Sequence, residues 1–303
     1  MALFYAHMKK VGGLVKKVFP DSRLISLRRL PKGCVNKTYE VEIKNPKKLL
    51  IFRIFPTHSW KAVKEAYVYN LISKKTPVPV PNIYLADSSK RIYPDSFTLL
   101  SKIPGKELKK TSALIEKAGE YLAHIHKIKF PKFGWIVGRS IQPAFTKWID
   151  FCDYDLNHKL VNARKYHQIG KRLIKDVMSY YSQHRHLLNI DVKPCLLHKD
   201  YHFSHILVDK NKISGVIDVE WAISGHNELD LTKSLDWMFD SNKKLAHKFI
   251  KGYSRINHIS EDFEKRKKLY ELMISVSSVV FSCEMRNNKW LAFNLNKLKR
   301  TIR

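Results

Sequence analysis

The feature that most constrains this chain is a change of hydrophobic period at Pro104-Gly105. Ahead of it the apolar residues come in short blocks: Leu24-Ile25-Ser26-Leu27, Thr38-Tyr39-Glu40-Val41-Glu42-Ile43, and Leu49-Leu50-Ile51-Phe52-Arg53-Ile54-Phe55. Blocks of this length, separated by Pro31-Lys32-Gly33 and by Lys44-Asn45-Pro46-Lys47, predict three strands joined by turns. Trp60 to Lys75 carries Val63, Ala66, Tyr67, Tyr69 and Leu71 at helical spacing and stops before Pro77, so a helix follows the third strand. Pro77-Val78-Pro79-Val80-Pro81 lacks a backbone donor at alternate positions and is expected to be an extended connector. Two more strands are expected around Ile83–Leu85 and Phe97–Leu100. After Pro104-Gly105 the spacing turns helical over Ser112–His126, Phe145–His158 and Ala163–His186, and again from near Asp230 to the end. Short apolar runs at Cys195–Leu197, Ile206–Val208 and Ile213–Ile217 interrupt the helices. The expected fold class is α+β, in two lobes: a small antiparallel-sheet lobe over residues 1–103 and a larger helical lobe over 104–303.

Composition narrows the function classes. With 44% apolar and 12% aromatic residues the chain is globular, and 11 Gly and 12 Pro exclude a collagenous one. No apolar run approaches the ~20 residues that span a bilayer. The opening MALFYAHMKKVGGLVKKVF has lysines inside its apolar stretch and no small-residue cleavage site, so a cytoplasmic location is expected. Cys34, Cys152, Cys195 and Cys283 are scattered without a C-x-x-C pair, which fits reduced thiols. The balance of 56 basic and 27 acidic residues gives +29. Basic residues are spread along the chain and Lys far outnumbers Arg, a pattern closer to compositional bias than to a nucleic-acid surface. Composition carries no signal for an oligomeric state.

The chemistry sits in Leu197-His198-Lys199-Asp200-Tyr201-His202-Phe203-Ser204-His205-Ile206-Leu207-Val208-Asp209, followed by Ser214-Gly215-Val216-Ile217-Asp218. An H-x-D on a loop, an apolar strand starting after His205, and a second Asp ending another apolar strand form a phosphoryl-transfer layout. In it the first Asp orients or deprotonates an acceptor hydroxyl, and the residue five further on joins the second Asp in holding Mg²⁺ on nucleotide phosphates. A tight loop followed by a hairpin returns both metal ligands to one side of a cleft. Cys195, His198, His202 and His205 also have the look of a zinc cluster, but that reading leaves Asp200 and Asp218 without a task.

With these residues the chain resembles the aminoglycoside phosphotransferase and choline-kinase-like family, relatives of the protein kinases. The family string H-G-D-x-H-x-x-N-I-L-V-D followed by G-V-I-D-W is matched by His198–Asp209 and by Gly215–Asp218 with Trp221 beyond. In order along the chain, Pro31–Tyr39 with Gly33 resembles the nucleotide-flap hairpin and Arg53 the phosphate-pairing residue. Glu65 resembles that residue's helix partner, Val78-Pro79-Val80-Pro81 the linker, Leu99–Gly105 the hinge, and Asp230-Leu231 the D-L that follows the metal-binding Asp.

The resemblance implies a protein-kinase-like fold and an ATP- (or GTP-) and Mg²⁺-dependent phosphotransferase acting on a hydroxyl of a small molecule. It implies Asp200 as the catalytic residue and His205 and Asp218 as metal ligands. Arg53, Glu65 and Gly33 would serve the nucleotide phosphates, and the backbone at Ser101 and Ile103 the base. Three departures stand out: His205 replaces Asn, the flap holds the single Gly33, and His226-Asn227 replace Asp-Pro. A nucleotide-binding pseudokinase disabled at His205 and a basic nucleic-acid-associated protein are the alternative readings. Asp230 is expected to cap a helix or brace a loop, and Glu220, Glu228, Asp236 and Asp240 are candidates for an acidic patch that would receive a cationic acceptor.

Overall fold

The structure, a computed structural model, describes residues 2–31, 35–111, 113–166, 169–240 and 242–302. The chain begins with α1 (Ala2–Val18), β1 (Arg23–Arg29), β2 (Lys37–Lys44), β3 (Lys48–Phe55), α2 (Trp60–Lys75), β4 (Ile83–Asp87) and β5 (Ser96–Ser101). The five strands form one antiparallel sheet in the order β1-β2-β3-β5-β4. Period-2 alternation gives this sheet two different faces. Val41, Ile43, Leu50, Phe52, Ile54, Phe97 and Leu99 pack with Val11, Leu14 and Val15 of α1 into one apolar core. Arg53 and Thr98 are register partners on β3 and β5, and both bond to Glu65 of α2.

The first helix is absent from the sequence reading, and Gly12-Gly13 lie within it. Val11, Leu14 and Val15 at i, i+3 and i+4 still present an apolar stripe that the sheet covers, and tertiary burial outweighs about 1 kcal/mol per glycine.

The chain continues through β6 (Lys106–Glu107), α3 (Ile115–His126), β7 (Phe133–Val137), β8 (Ser140–Phe145), α4 (Trp148–Lys165), α5 (Lys171–His184), a 3-10 turn at Arg185–Leu188, and β9 (Cys195–Leu197). It ends with β10 (Ile206–Asp209), β11 (Lys212–Val216), β12 (Ile223–Gly225), α6 (Asn227–Phe239), α7 (Lys243–Ser254), α8 (Phe263–Glu284) and α9 (Asn288–Thr301). Small sheets run β11-β10-β6 and β8-β7-β12-β9. The helical stretch expected over Ala163–His186 is in fact two helices. Gly170 sits in extended backbone as the N-cap of α5, where a glycine costs less than inside a helix. The helix expected from Phe145 starts at Trp148, since Phe145 ends β8.

Contacts divide the chain into two compact units. The first is Met1–Leu114 with Ile136–Ser140 and Phe203–Trp221; the second is Ile115–Trp135, Ile141–His202 and Ala222–Arg303. The second unit has its own core, in which Trp148, Phe151 and Leu156 of α4 join Leu269, Tyr270, Met273 and Val276 of α8. Among the described residues no helix is long and apolar enough to cross a membrane.

Candidate active site

Each unit carries its own set of charged, buried side chains. In the first unit Arg53 is the centre. Its Nη1 donates to Glu65 Oε1 at 2.6 Å and lies 3.4 Å from Asp218 Oδ1. Thr98 Oγ1 donates to Glu65 Oε2 at 2.5 Å, so both carboxylate oxygens are engaged. Burial pushes the Glu65 carboxyl above its ordinary value, with Arg53 and Thr98 opposing and failing to cancel it. Burial disfavours the Arg53 charge as well, but Glu65 and Asp218 outweigh it and hold the guanidinium protonated.

The β10–β11 hairpin carries His205 and Asp218 at its two ends. Ile206 pairs with Val216, and the Ile217 N–H donates to the His205 carbonyl at 2.9 Å. That closure sets His205 Nε2 3.5 Å from Asp218 Oδ2. Asp218 has φ +66°, a left-handed backbone uncommon for a residue with a side chain, and its N–H donates to Tyr69 Oη of α2 at 2.8 Å. Past it, Glu220 accepts from Lys61 Nζ and from Asn36 Nδ2, both at 2.5 Å, and its carbonyl accepts from Lys64 Nζ at 2.6 Å. Burial lowers the Lys64 ammonium to about 7.

The expected hinge packs on the same hairpin. Ser214 Oγ donates to the Pro104 carbonyl at 2.6 Å, and Val216 N–H to that of Pro79 at 2.8 Å. A side chain at Gly215 would meet Ile103 Cγ2 at 2.7 Å, and one at Gly105, with φ +114°, the Val208 carbonyl at 2.3 Å. Gly105 must be glycine, because its φ and the Val208 backbone leave no room, whereas a side chain at Gly215 would require Ile103 to shift. Ser101 N–H donates to the Asn82 carbonyl at 2.8 Å, whereas the Ile103 N–H has no backbone acceptor among the described residues. The structure therefore brings Arg53, Glu65, His205 and Asp218 together in this unit, with Ile103 packed on the same hairpin. Gly33 lies outside the described residues; the strands that flank it pair from Arg29–Tyr39 onward.

In the second unit the centre is Asp230. Its oxygens accept from the N–H groups of His198 at 2.6 Å and Lys199 at 2.9 Å, and its Oδ2 lies 3.2 Å from His126 Nε2. Tyr253 Oη accepts from Asn227 and Asn257, so its own proton goes to His126 Nδ1 at 2.7 Å, leaving the Nε2–H of His126 to point at Asp230. Burial alone would raise the Asp230 carboxyl; the His126 hydrogen bond and the His198 N–H outweigh it and hold it below the ordinary value. Asp200 N–H donates to His198 Nδ1 at 3.2 Å, while its carboxylate pairs with Lys233 Nζ at 2.9 Å and lies 3.7 Å from His202 Nε2. Cys195 is turned away, its Sγ donating to the Gly225 carbonyl at 3.4 Å.

Sequence reasoning missed Thr98, Tyr69, Lys61, Lys64, His126 and Lys233. Each is a lysine, hydroxyl or histidine with no local pattern, whose partner lies far away in sequence. The acidic patch is a correction. Glu220 is held by Lys61, Glu228 is buried against Arg266 at 2.7 Å, and Asp236 pairs with Lys297, so three of the four carboxylates are already neutralised.

The chain is 28% identical over 169 residues to the chloroplastic protein-ribulosamine 3-kinase of Arabidopsis thaliana, a match over 51% of this chain and 48% of that protein. The chain thus spans about half the length of this curated relative. Among solved structures it resembles a putative fructosamine-3-kinase from Haemophilus somnus 129PT (20% identity, 99% of this chain and 100% of that one, TM-score 0.74). It also resembles a thermostable mutant of aminoglycoside phosphotransferase APH(4)-Ia in ternary complex with AMP-PNP and hygromycin B (15% identity, 97% and 98%, TM-score 0.73). These likenesses show the fold expected from the sequence, the protein-kinase-like fold of the aminoglycoside kinases. Residues 26–269 match the profile of the phosphotransferase enzyme family, and the chain belongs to that family.

Proposed function

We propose that this protein is a kinase that moves the γ-phosphate of ATP or GTP to a hydroxyl of a small amino-sugar compound, with residues 1–103 holding the nucleotide and 104–303 carrying the catalytic loop and acceptor site. The observation that carries the reading is the Arg53–Glu65 ion pair with Asp218 within reach of the same guanidinium, on a hairpin whose other end is His205. A cation held by a buried anion on one side, with a carboxylate beside it, is what a nucleotide triphosphate with its metal requires.

Arg53 serves the phosphates, Glu65 fixes Arg53, and the backbone at Ser101 and Ile103 meets the base, with Gly33 serving the phosphates as the resemblance implies. The donor set of Asp218 carboxylate and His205 imidazole fits a divalent cation, though with one nitrogen where Mg²⁺ ordinarily takes oxygen. When bound, the metal neutralises charge on the phosphates. Asp200 orients the acceptor hydroxyl and receives its proton. The pairing of Glu220, Glu228 and Asp236 by basic residues favours a glycated amine over a polycationic aminoglycoside as acceptor.

A screen for ADP or GDP release with Mg²⁺, run over glycated amines, aminoglycosides, choline and homoserine, tests the reading. Asp200→Asn is expected to keep nucleotide affinity while turnover falls at least about a hundredfold. Turnover close to the parent's would remove Asp200 from the mechanism.

A further inference from the structure

Helix α6 brings three residues to the loop that carries Asp200, and the sequence reading had a task for only the first. Asp230, Lys233 and Trp237 stand at i, i+3 and i+7, which places them on one face of the helix. Asp230 takes the N–H groups of His198 and Lys199. Lys233 Nζ donates to the carbonyl of Lys199 and to Asp200 Oδ1, the latter at 2.9 Å. The Trp237 ring carries the Lys233 ammonium 4.1 Å from its centroid and lies 5.7 Å from the His202 ring.

Lys199 itself has φ +66°. In that left-handed turn its N–H meets Asp230 while its carbonyl meets Lys233, so both ends of the residue are tied to α6. The Lys233 and Asp200 side chains are only 16% and 15% exposed, unlike a solvated surface pair of little consequence.

We infer that Lys233 is a positioning residue for Asp200: its ammonium, fixed by the Lys199 carbonyl and the Trp237 ring, locks one carboxylate oxygen and so sets the direction in which the other is presented to the acceptor hydroxyl. Charge-assisted hydrogen bonds are short and directional, which makes an ammonium seated on a backbone carbonyl an effective stop for a carboxylate rotamer. The inference rests on the proposed role of Asp200.

The test uses the full chain in four forms: parent, Lys233→Met, Lys233→Arg and Asp200→Asn. ATP turnover with Mg²⁺ and water as acceptor is followed by ADP release, AMP-PNP affinity by calorimetry, melting temperature by fluorescence, and Asp200 geometry by crystallography. For Lys233→Met, kcat falls about ten- to a hundredfold, the scale of one lost charged hydrogen bond, while KM for ATP, AMP-PNP affinity and melting temperature stay near the parent's. Lys233→Arg recovers most of the loss, and the Asp200 carboxylate leaves its parental rotamer in the Met variant. Parental kcat in Lys233→Met overturns the inference. So does a loss that tracks melting temperature and is not rescued by Arg. Where turnover on water is too slow to compare, the crystal structure decides: an unmoved Asp200 carboxylate overturns it. Parental turnover in Asp200→Asn would sink the role of Asp200 instead, a different outcome from a silent Lys233.

Discussion

Two carboxylates, Glu65 in the first unit and Asp230 in the second, are equally buried and shift in opposite directions: Glu65 above its ordinary value, Asp230 below it. The difference lies in their partners. Glu65 faces one guanidinium and one hydroxyl, both on side chains. Asp230 faces two backbone N–H groups and an imidazole whose proton is fixed by a further network. His126 contributes most to holding Asp230 down, and the backbone N–H groups, which cannot rotate away, add to it. The second unit therefore uses charge to fix a loop, whereas the first holds its charges on side chains alone.

Isosteric amides break or sharpen this contrast. Asp230→Asn has the largest expected effect on stability. All three of its neighbours are donors, so the new NH₂ must face an N–H inside the core. A loss of about 3–5 kcal/mol is expected in urea denaturation, the scale of a broken buried charge network. A variant as stable as the parent would mean that the loop does not depend on Asp230.

Glu65→Gln should cost less, about 1–3 kcal/mol. Its carbonyl oxygen can still accept from Arg53, and its NH₂ can donate to Thr98 Oγ1 once that hydroxyl turns. With the Glu65 charge gone, the Arg53 guanidinium leans on Asp218, so affinity for nucleotide with Mg²⁺ should fall about tenfold in calorimetry. Equal stability losses for Glu65→Gln and Asp230→Asn would erase the distinction between side-chain and backbone partners.

How far the sequence could foretell this follows from the same contrast. The strands around Arg53, the helix bearing Glu65 and the hairpin from Ile206 to Val216 are local patterns, and period and turn residues reveal them. Asp230 was legible as a helix cap or loop brace from the Asp230-Leu231 pair, and its bonds to the His198 and Lys199 N–H groups make it the brace. Lys61, Lys64 and Lys233 were not legible. Their partners lie 159, 156 and 33 residues away, and in a chain with 56 basic residues one lysine looks like any other. The expected acidic patch failed for the same reason, since the residues that neutralise it come from distant helices. The break at Gly170 and the strand ending at Phe145 were missed because a period count does not register where a helix begins.

A further contrast, visible only as pH changes, concerns the lysines that burial lowers, one in each unit. Lys64 falls to about 7, with burial as the main cause, Lys61 adding to it and Glu220 opposing. Lys199, more exposed, falls to about 8, again chiefly through burial. An unfolded lysine titrates near 10.4. Between about 7 and about 10 the unfolded chain keeps a proton that folded Lys64 has released, so stability rises with pH across that window. Below 7 both states are protonated and the rise is absent. The shedding of positive charge from a +29 surface adds its own rise, so the parent curve alone identifies nothing. Lys64→Met removes only its own share: the stability of the parent relative to the variant should rise from pH 7 upward, by at most about 1.4 kcal/mol per pH unit. Lys199→Met should show the same limiting slope from near pH 8, over a shorter window and so with a smaller total change. Parallel parent and Lys64→Met curves from pH 6 to 10 would mean that Lys64 stays charged, held by Glu220 strongly enough to overcome its burial. The first unit would then hold its charges as firmly as the second.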